Sequence, residues 1–149
     1  VTNKPKAIGT RGETGVVRAA RELGFPEARR LALAGAADVG DALLCPGVMV
    51  EVKAGKAAKT ASLAQIDLWC LDTERERLAH GATVGLLVVQ RAGYSADRAA
   101  YWRAFMPSWL VASLQLTRGT VVAEHDFWIE TTFARALLLL RGYGYGEAL

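Results

Sequence analysis

The chain has 149 residues, 52% of them hydrophobic and 22% charged, which is the length of one ordinary domain with enough apolar material to bury a core. That composition excludes a chain disordered throughout, and a net charge of +3 permits a nucleic-acid partner without requiring one. The longest apolar runs, such as 134–140, fall far short of a membrane span, no signal-peptide-like stretch opens the sequence, and Cys45 and Cys70 lack metal-binding spacing. A reduced, cytoplasmic protein with no membrane partner is therefore expected.

Residues 11–23, RGETGVVRAAREL, set Val16, Val17, Ala20 and Leu23 at helical spacing with Gly24 as a stop, which predicts a first amphipathic helix. From 24 to 55, short apolar runs are punctuated by Pro26, Gly35, Gly40 and Pro46-Gly47. This predicts short strands joined by turns, the clearest at 48–52. From 62 to about 80, Leu63, Ile66, Cys70 and Leu71 fall on one side, with Asp72, Glu74, Arg75, Glu76 and Arg77 on the exposed remainder, so a long connecting helix is predicted. Residues 83–90, TVGLLVVQ, are nearly all apolar and predict a strand buried on both faces.

Beyond it the pattern predicts a strand at 99–106, a short helix from Pro107 through Leu116, one more strand at 120–123 and a final apolar helix over 127–140. The glycines of RGYGYGEAL argue against a structured end. The order α-β-β-β-α-β, with elements added after it, predicts an α/β fold with a central mixed sheet flanked by helices. One domain is expected, with its core over about 7–106 and a C-terminal extension over about 107–149.

The chemistry-bearing stretch runs from Asp38 through Gly40-Asp41 to Glu51-Val52-Lys53. On a strand, residues two apart project from one face, so Glu51 and Lys53 point together while Val52 enters the core. Carboxylates are the ligands that Mg²⁺ prefers, and a lysine beside such an ion can orient water or stabilise charge at phosphorus without chelating it. Alone, Glu51 and Lys53 would pass for an exposed charge pair on an edge strand. The upstream Asp41, the Pro46-Gly47 turn and a preceding helix carrying Glu13 are features that such a strand does not require.

Over about residues 7–90 the sequence resembles the PD-(D/E)XK nuclease superfamily, and within it the archaeal-type and phage-type Holliday junction resolvases. The resemblance rests on Gly12-Glu13, Gly24-Phe25, the basic pair Arg29-Arg30, Gly40-Asp41, and PGVMVEVK from Pro46 to Lys53. It implies a restriction-endonuclease-like sandwich and an Mg²⁺- or Mn²⁺-dependent endonuclease for branched DNA, working as a homodimer and encoded by a bacterium or phage. It also implies that Glu13, Asp41 and Glu51 bind the metal together with Val52, and that Lys53 is catalytic. Gln65 is the candidate for the polar residue that the family often adds on the following helix. Gly40 stands where the family has proline.

Ten Lys or Arg stand against six acids in residues 1–60, and eight against nine in 61–149, so a polyanion should meet the N-terminal part. Arg11, Arg29, Arg30, Lys56 and Lys59 are the candidate phosphate contacts, with a solvated surface role as the alternative for each. Asp38 reads as a turn residue, His80 and His125 lack metal spacing, and Trp69, Trp102, Trp109 and Trp128 read as core or interface anchors ahead of base-stacking platforms.

One geometric condition follows. A plain two-residue turn at Pro46-Gly47 pairs Cys45 with Val48 and sets Asp41 opposite Val52, on the wrong face. A bulge or a longer turn must shift the register by one, and Gly40 could supply such a bulge. Rival readings are another nuclease of the same superfamily acting on linear DNA or RNA, a non-catalytic nucleic-acid-binding module of that fold, and an unrelated α/β domain. A register separating Asp41 from Glu51 would favour the last.

Overall fold

The computed structural model describes residues 4–32, 40–110 and 128–149. Four helices are present among them, α1 (Lys4–Glu22), α2 (Lys56–Lys59), α3 (Leu63–His80) and α4 (Phe133–Gly142), together with a 3-10 segment at Ala96–Tyr101. The strands β1 (Arg29–Arg30), β2 (Ala42–Cys45), β3 (Val48–Lys53), β4 (Val84–Val89), β5 (Arg103–Pro107) and β6 (Trp128–Thr132) form one sheet, in which spatial order follows chain order. Every neighbouring pair is antiparallel except β3 and β4, and α3 is the crossover that a parallel pair requires. The protein is a mixed α/β structure with a mostly antiparallel six-stranded sheet and helices on both faces.

Strand alternation divides the core. Val48, Val50 and Val52 of β3, with Leu86 and Val88 of β4, pack against Val16 and Ala20 of α1 and Leu137 and Leu140 of α4. Leu87, Val89 and Phe105 face the other way, onto Ile66 and Cys70 of α3. β4 is buried at every position, as its unbroken apolar run predicts. Each fully buried Val or Leu contributes about 1.5–3 kcal/mol relative to exposure, so these central strands carry much of the stability. α1 lies unusually close to its neighbours because its packed face includes glycine. A Cβ at Gly12 would stand 2.7 Å from the Ala54 Cβ, and one at Gly15 would collide with the Ala96 carbonyl oxygen.

The first helix begins earlier than the apolar pattern indicates, at Lys4, with Pro5 in its first turn, where the missing N–H has no intrahelical partner to lose. α3 matches its expected span, with the Ser62 hydroxyl accepting from the Gln65 N–H at its start. Its orientation differs from expectation. The inner stripe is Ile66, Cys70, Thr73 and Glu76, so Leu63 and Leu71 are exposed, and Glu76, expected among the solvated charges, is 8% exposed.

The expected final helix over 127–140 divides in two. Trp128, Ile129, Thr131 and Thr132 supply aromatic and β-branched residues that suit an edge strand, so this segment pairs with β5 as β6, and the Thr132 hydroxyl then caps α4 by accepting from the Arg135 N–H. Similarly, the expected strand over 99–106 is a 3-10 turn followed by β5, which ends on Pro107, with helical geometry resuming at Ser108. The rest of the helix expected through Leu116, the strand expected at 120–123, and Asp38 lie outside the described residues.

No helix or strand follows Gly142, yet the tail is tied down. The Glu147 N–H donates to the Gly24 carbonyl at 2.7 Å, and Arg141 donates to the carbonyls of Glu147 and Ala148. The C-terminal segment therefore belongs to the sheet and the main core. Among the described residues no helix is long and apolar enough to cross a membrane.

The register condition is met, by a different residue from the one expected. Cys45 pairs with Val48 across the tight turn, but Leu43 pairs with Met49 and Ala42 with Val50, so the register shifts between Leu43 and Cys45. The bulge lies there and not at Gly40. Continuing the shifted register by one residue sets Asp41 opposite Glu51. Gly40 has a separate role: its φ of +91° lies in the left-handed region, and a Cβ there would stand 2.5 Å from the Met49 Cε.

Candidate active site

The bulge brings the Asp41 and Glu51 side chains to the α3 face of the sheet, near its edge. The Asp41 Oδ2 accepts from the Val52 N–H at 2.7 Å, and the Asp41 N–H donates to the Val50 carbonyl at 3.0 Å, which fixes the aspartate against β3. Because the Lys53 carbonyl accepts from Gln90 beyond β4, alternation turns the backbone groups of Val52 toward β2, so its carbonyl lies on the Asp41 side. Glu51 is 4% exposed. Its Oε1 accepts from the Lys53 Nζ at 2.5 Å, whereas its Oε2 is buried without a hydrogen-bond partner. Lys53 is further held 5.9 Å from the centre of the Trp69 ring.

The electrostatics follow from this crowding. Burial, then the charges of Glu51 and Glu13, push the Asp41 carboxyl up to about 7, against the opposing Val52 N–H. Burial and the facing Glu76 carboxyl push Glu51 up to about 7, although Lys53 acts the other way. For Lys53, burial alone would lower the value, but Glu51, Asp41 and Glu76 around it outweigh that and raise it. Asp41, Glu51 and Glu76 therefore converge on one lysine, and Glu13 contributes its charge from α1.

Glu13 is not free at the site. Its Oε2 accepts from Arg30 Nη2 at 2.6 Å and Nε at 2.8 Å, so one of the two candidate phosphate-binding arginines on β1 is occupied and the other, Arg29, is exposed. Gln65 is half-buried in the first turn of α3 and makes no hydrogen bond to Asp41, Glu51 or Lys53. Arg11, Lys56 and Lys59 lie beyond the end of β3, lining a cavity of about 730 Å³ that begins at Ala54, next to Lys53. Sequence reasoning missed Glu76. Its signal was its place three residues after Thr73 on the stripe begun by Ile66 and Cys70.

Among the described residues, no group of three or more His, Cys, Asp or Glu side chains is clustered to hold a metal ion as it stands. The donor set nonetheless suits a hard cation. Two opposed carboxylates are both shifted toward neutrality, Asp41 by burial and the charges of Glu51 and Glu13, Glu51 by burial and Glu76; one buried oxygen has no partner, and a backbone carbonyl lies alongside. Mg²⁺ is commonly held by one or two carboxylates with several waters retained. Comparison with protein-family models, with curated proteins and with solved structures finds no match to this chain.

Proposed function

We propose that this protein is a metal-dependent endonuclease of the PD-(D/E)XK type with a restriction-endonuclease-like fold, hydrolysing DNA phosphodiester bonds in branched substrates such as four-way junctions. The observation that carries the reading is the bulge between Leu43 and Cys45, which sets Asp41 opposite Glu51 while Lys53 projects from the same face as Glu51. An accidental Glu-Val-Lys sequence on an edge strand has no need of that register.

Asp41 and Glu51, with the Val52 carbonyl, are the residues that would hold Mg²⁺ or Mn²⁺, and Glu13 adds negative charge from α1. Such an ion, when bound, polarises a phosphoryl oxygen and lowers the pKa of a bound water. Lys53 then has two functions that need no chelation: it neutralises part of the carboxylate charge as substrate approaches, and its Nζ donates to an oxygen at the scissile phosphate. Arg29 contacts the backbone from the sheet edge, while Gln65, short of the carboxylates, acts only through water or substrate.

Symmetric cutting of a four-way junction requires two sites related by a twofold axis, so the reading includes a homodimer. The exposed Leu68, Leu71 and Leu78 along the outer side of α3 support it, since they form an apolar line that a second copy would cover.

The test is cleavage of a labelled four-way junction and a matched linear duplex, with Mg²⁺, with Mn²⁺ or with EDTA, by the wild type and by Glu51→Ala. Metal-dependent cutting of the junction that disappears in the variant is expected. Equal cutting of both substrates would remove the branch selectivity, and binding without cutting under either metal would refute the enzyme.

A further inference from the structure

The cavity beside Lys53 lies outside the carboxyl ends of β3 and β4, the parallel pair, where open α/β sheets commonly place ligands. At about 730 Å³ it falls within the range of small-molecule pockets. Its composition is one-sided. Arg11, Lys56 and Lys59 lie on its rim, no Asp or Glu lines it, and none of the three cations is ion-paired among the described residues. Its apolar and aromatic surface comes from Ile8, which is 43% exposed, and the half-buried Tyr94, whereas Trp102 is fully buried and supports the frame.

The frame is rigid. The Gln90 side chain accepts from the Gly55 N–H at 2.8 Å and donates to the Tyr94 carbonyl at 3.1 Å, and that same carbonyl accepts from the Trp102 indole N–H at 3.0 Å. Two strand ends and the loop bearing Tyr94 are thereby locked around an opening. Gln90, buried and polar at the end of an apolar strand, has no catalytic duty and is explained by this bracing. Tyr94 is itself oriented by Arg91 and Arg98, which lie 5.1 and 4.6 Å from its ring centre.

We propose that this cavity binds one unpaired nucleotide of the substrate strand, with its phosphate at Arg11, Lys56 and Lys59 and its base against the surface offered by Ile8 and Tyr94. The inference rests on the nuclease reading for its substrate and deepens it. A stacked, paired base cannot enter a cavity, so the protein favours strands that are already unpaired or easily unpaired next to the cut. Branch points and single-stranded segments meet that condition, and continuous duplex does not.

The test measures binding in EDTA, independently of chemistry. The probe is a short single strand carrying one 2-aminopurine, whose fluorescence reports its stacking environment, compared with the same strand in a blunt duplex. Ser95 lines the cavity and makes no capping hydrogen bond, so Ser95→Trp fills the space without removing a contact, with Ser95→Ala as the control for folding.

Wild type should bind the single strand at least ~10-fold more tightly than the duplex, with a change in 2-aminopurine emission. Ser95→Trp should weaken single-strand binding by ~10-fold and leave duplex binding alone, as expected when a stacking contact is lost. Replacing Lys56 and Lys59 together by alanine should lower the slope of log K against log salt by up to about 0.7, the value for one phosphate contact on a single strand. Wild-type binding in Ser95→Trp, an unchanged salt slope, or no preference for the single strand overturns the cavity assignment. Metal-dependent cleavage that persists alongside any of these results leaves the nuclease standing, whereas absent cleavage with intact cavity binding removes the nuclease and keeps the nucleotide site.

Discussion

Replacing Glu51 by glutamine should stabilise the metal-free protein at about pH 8 and leave it almost unchanged at about pH 4.5. The glutamate sits at about 7 instead of 4.5, because burial and Glu76 disfavour its ionised form more than Lys53 favours it. At about 1.4 kcal/mol per unit, that gap makes the ionised side chain cost about 3 kcal/mol of folding stability. The sign follows from a folded-state value above the unfolded one. Above about pH 7 the group is ionised in both states and the full cost is present. As the pH falls through 7 the folded state takes up the proton, and the cost disappears below about 4.5.

Glutamine keeps the shape and cannot ionise, and its presence also removes one of the charges that raise Asp41. Lys53 loses the partner at Glu51 Oε1, but that attraction is already included in the value of about 7. Urea denaturation in EDTA across this pH range measures the difference directly. A glutamine variant that is less stable at about pH 8, or a difference that does not vary with pH, refutes the argument. Millimolar Mg²⁺ should raise the wild-type midpoint at about pH 8 and leave the glutamine variant nearly unmoved, because only the former can exchange proton or lysine for metal.

Lys53→Met should reduce cleavage by about 10²–10³-fold while retaining DNA binding and fold, measured by single-turnover cutting beside anisotropy; full activity would remove the lysine from the chemistry. Gly40→Ala should destabilise by about 1–3 kcal/mol, since it forces a left-handed φ and a contact with Met49, and thermal melting checks it. Removing the tail after Gly142 should lower the melting temperature by exposing Phe25 and the Gly24 carbonyl, whereas an unchanged melting curve would show the tail contributes nothing.

The site residues were legible because their signal is local. A period of two places Glu51 with Lys53, and a short tight turn returns the chain from Asp41, so three of the side chains that meet were visible before any fold. The position of the bulge was not, since Gly40 is the conspicuous candidate in sequence and the shift instead falls between Leu43 and Cys45, where nothing in the residue types marks it. Glu76 was hidden because α3 has leucines on its outer side as well as apolar residues inside. Which side meets the sheet is decided by packing against Leu87, Val89 and Phe105. β6 was absorbed into the apolar run of α4, because edge strands of five residues carry little period of their own.

Because the pairing of Asp41 with Glu51 depends on one extra residue in β2, the site is vulnerable to changes in length in a way that it is not vulnerable to changes in composition. Inserting one residue between Asp41 and Ala42 would preserve every charged residue, while setting the aspartate opposite Val52 and turning it to the other side of the sheet. A lineage could thereby lose the constellation with its motif intact to the eye. Assessing any descendant of this chain therefore calls for counting residues between the aspartate and the turn before counting acids.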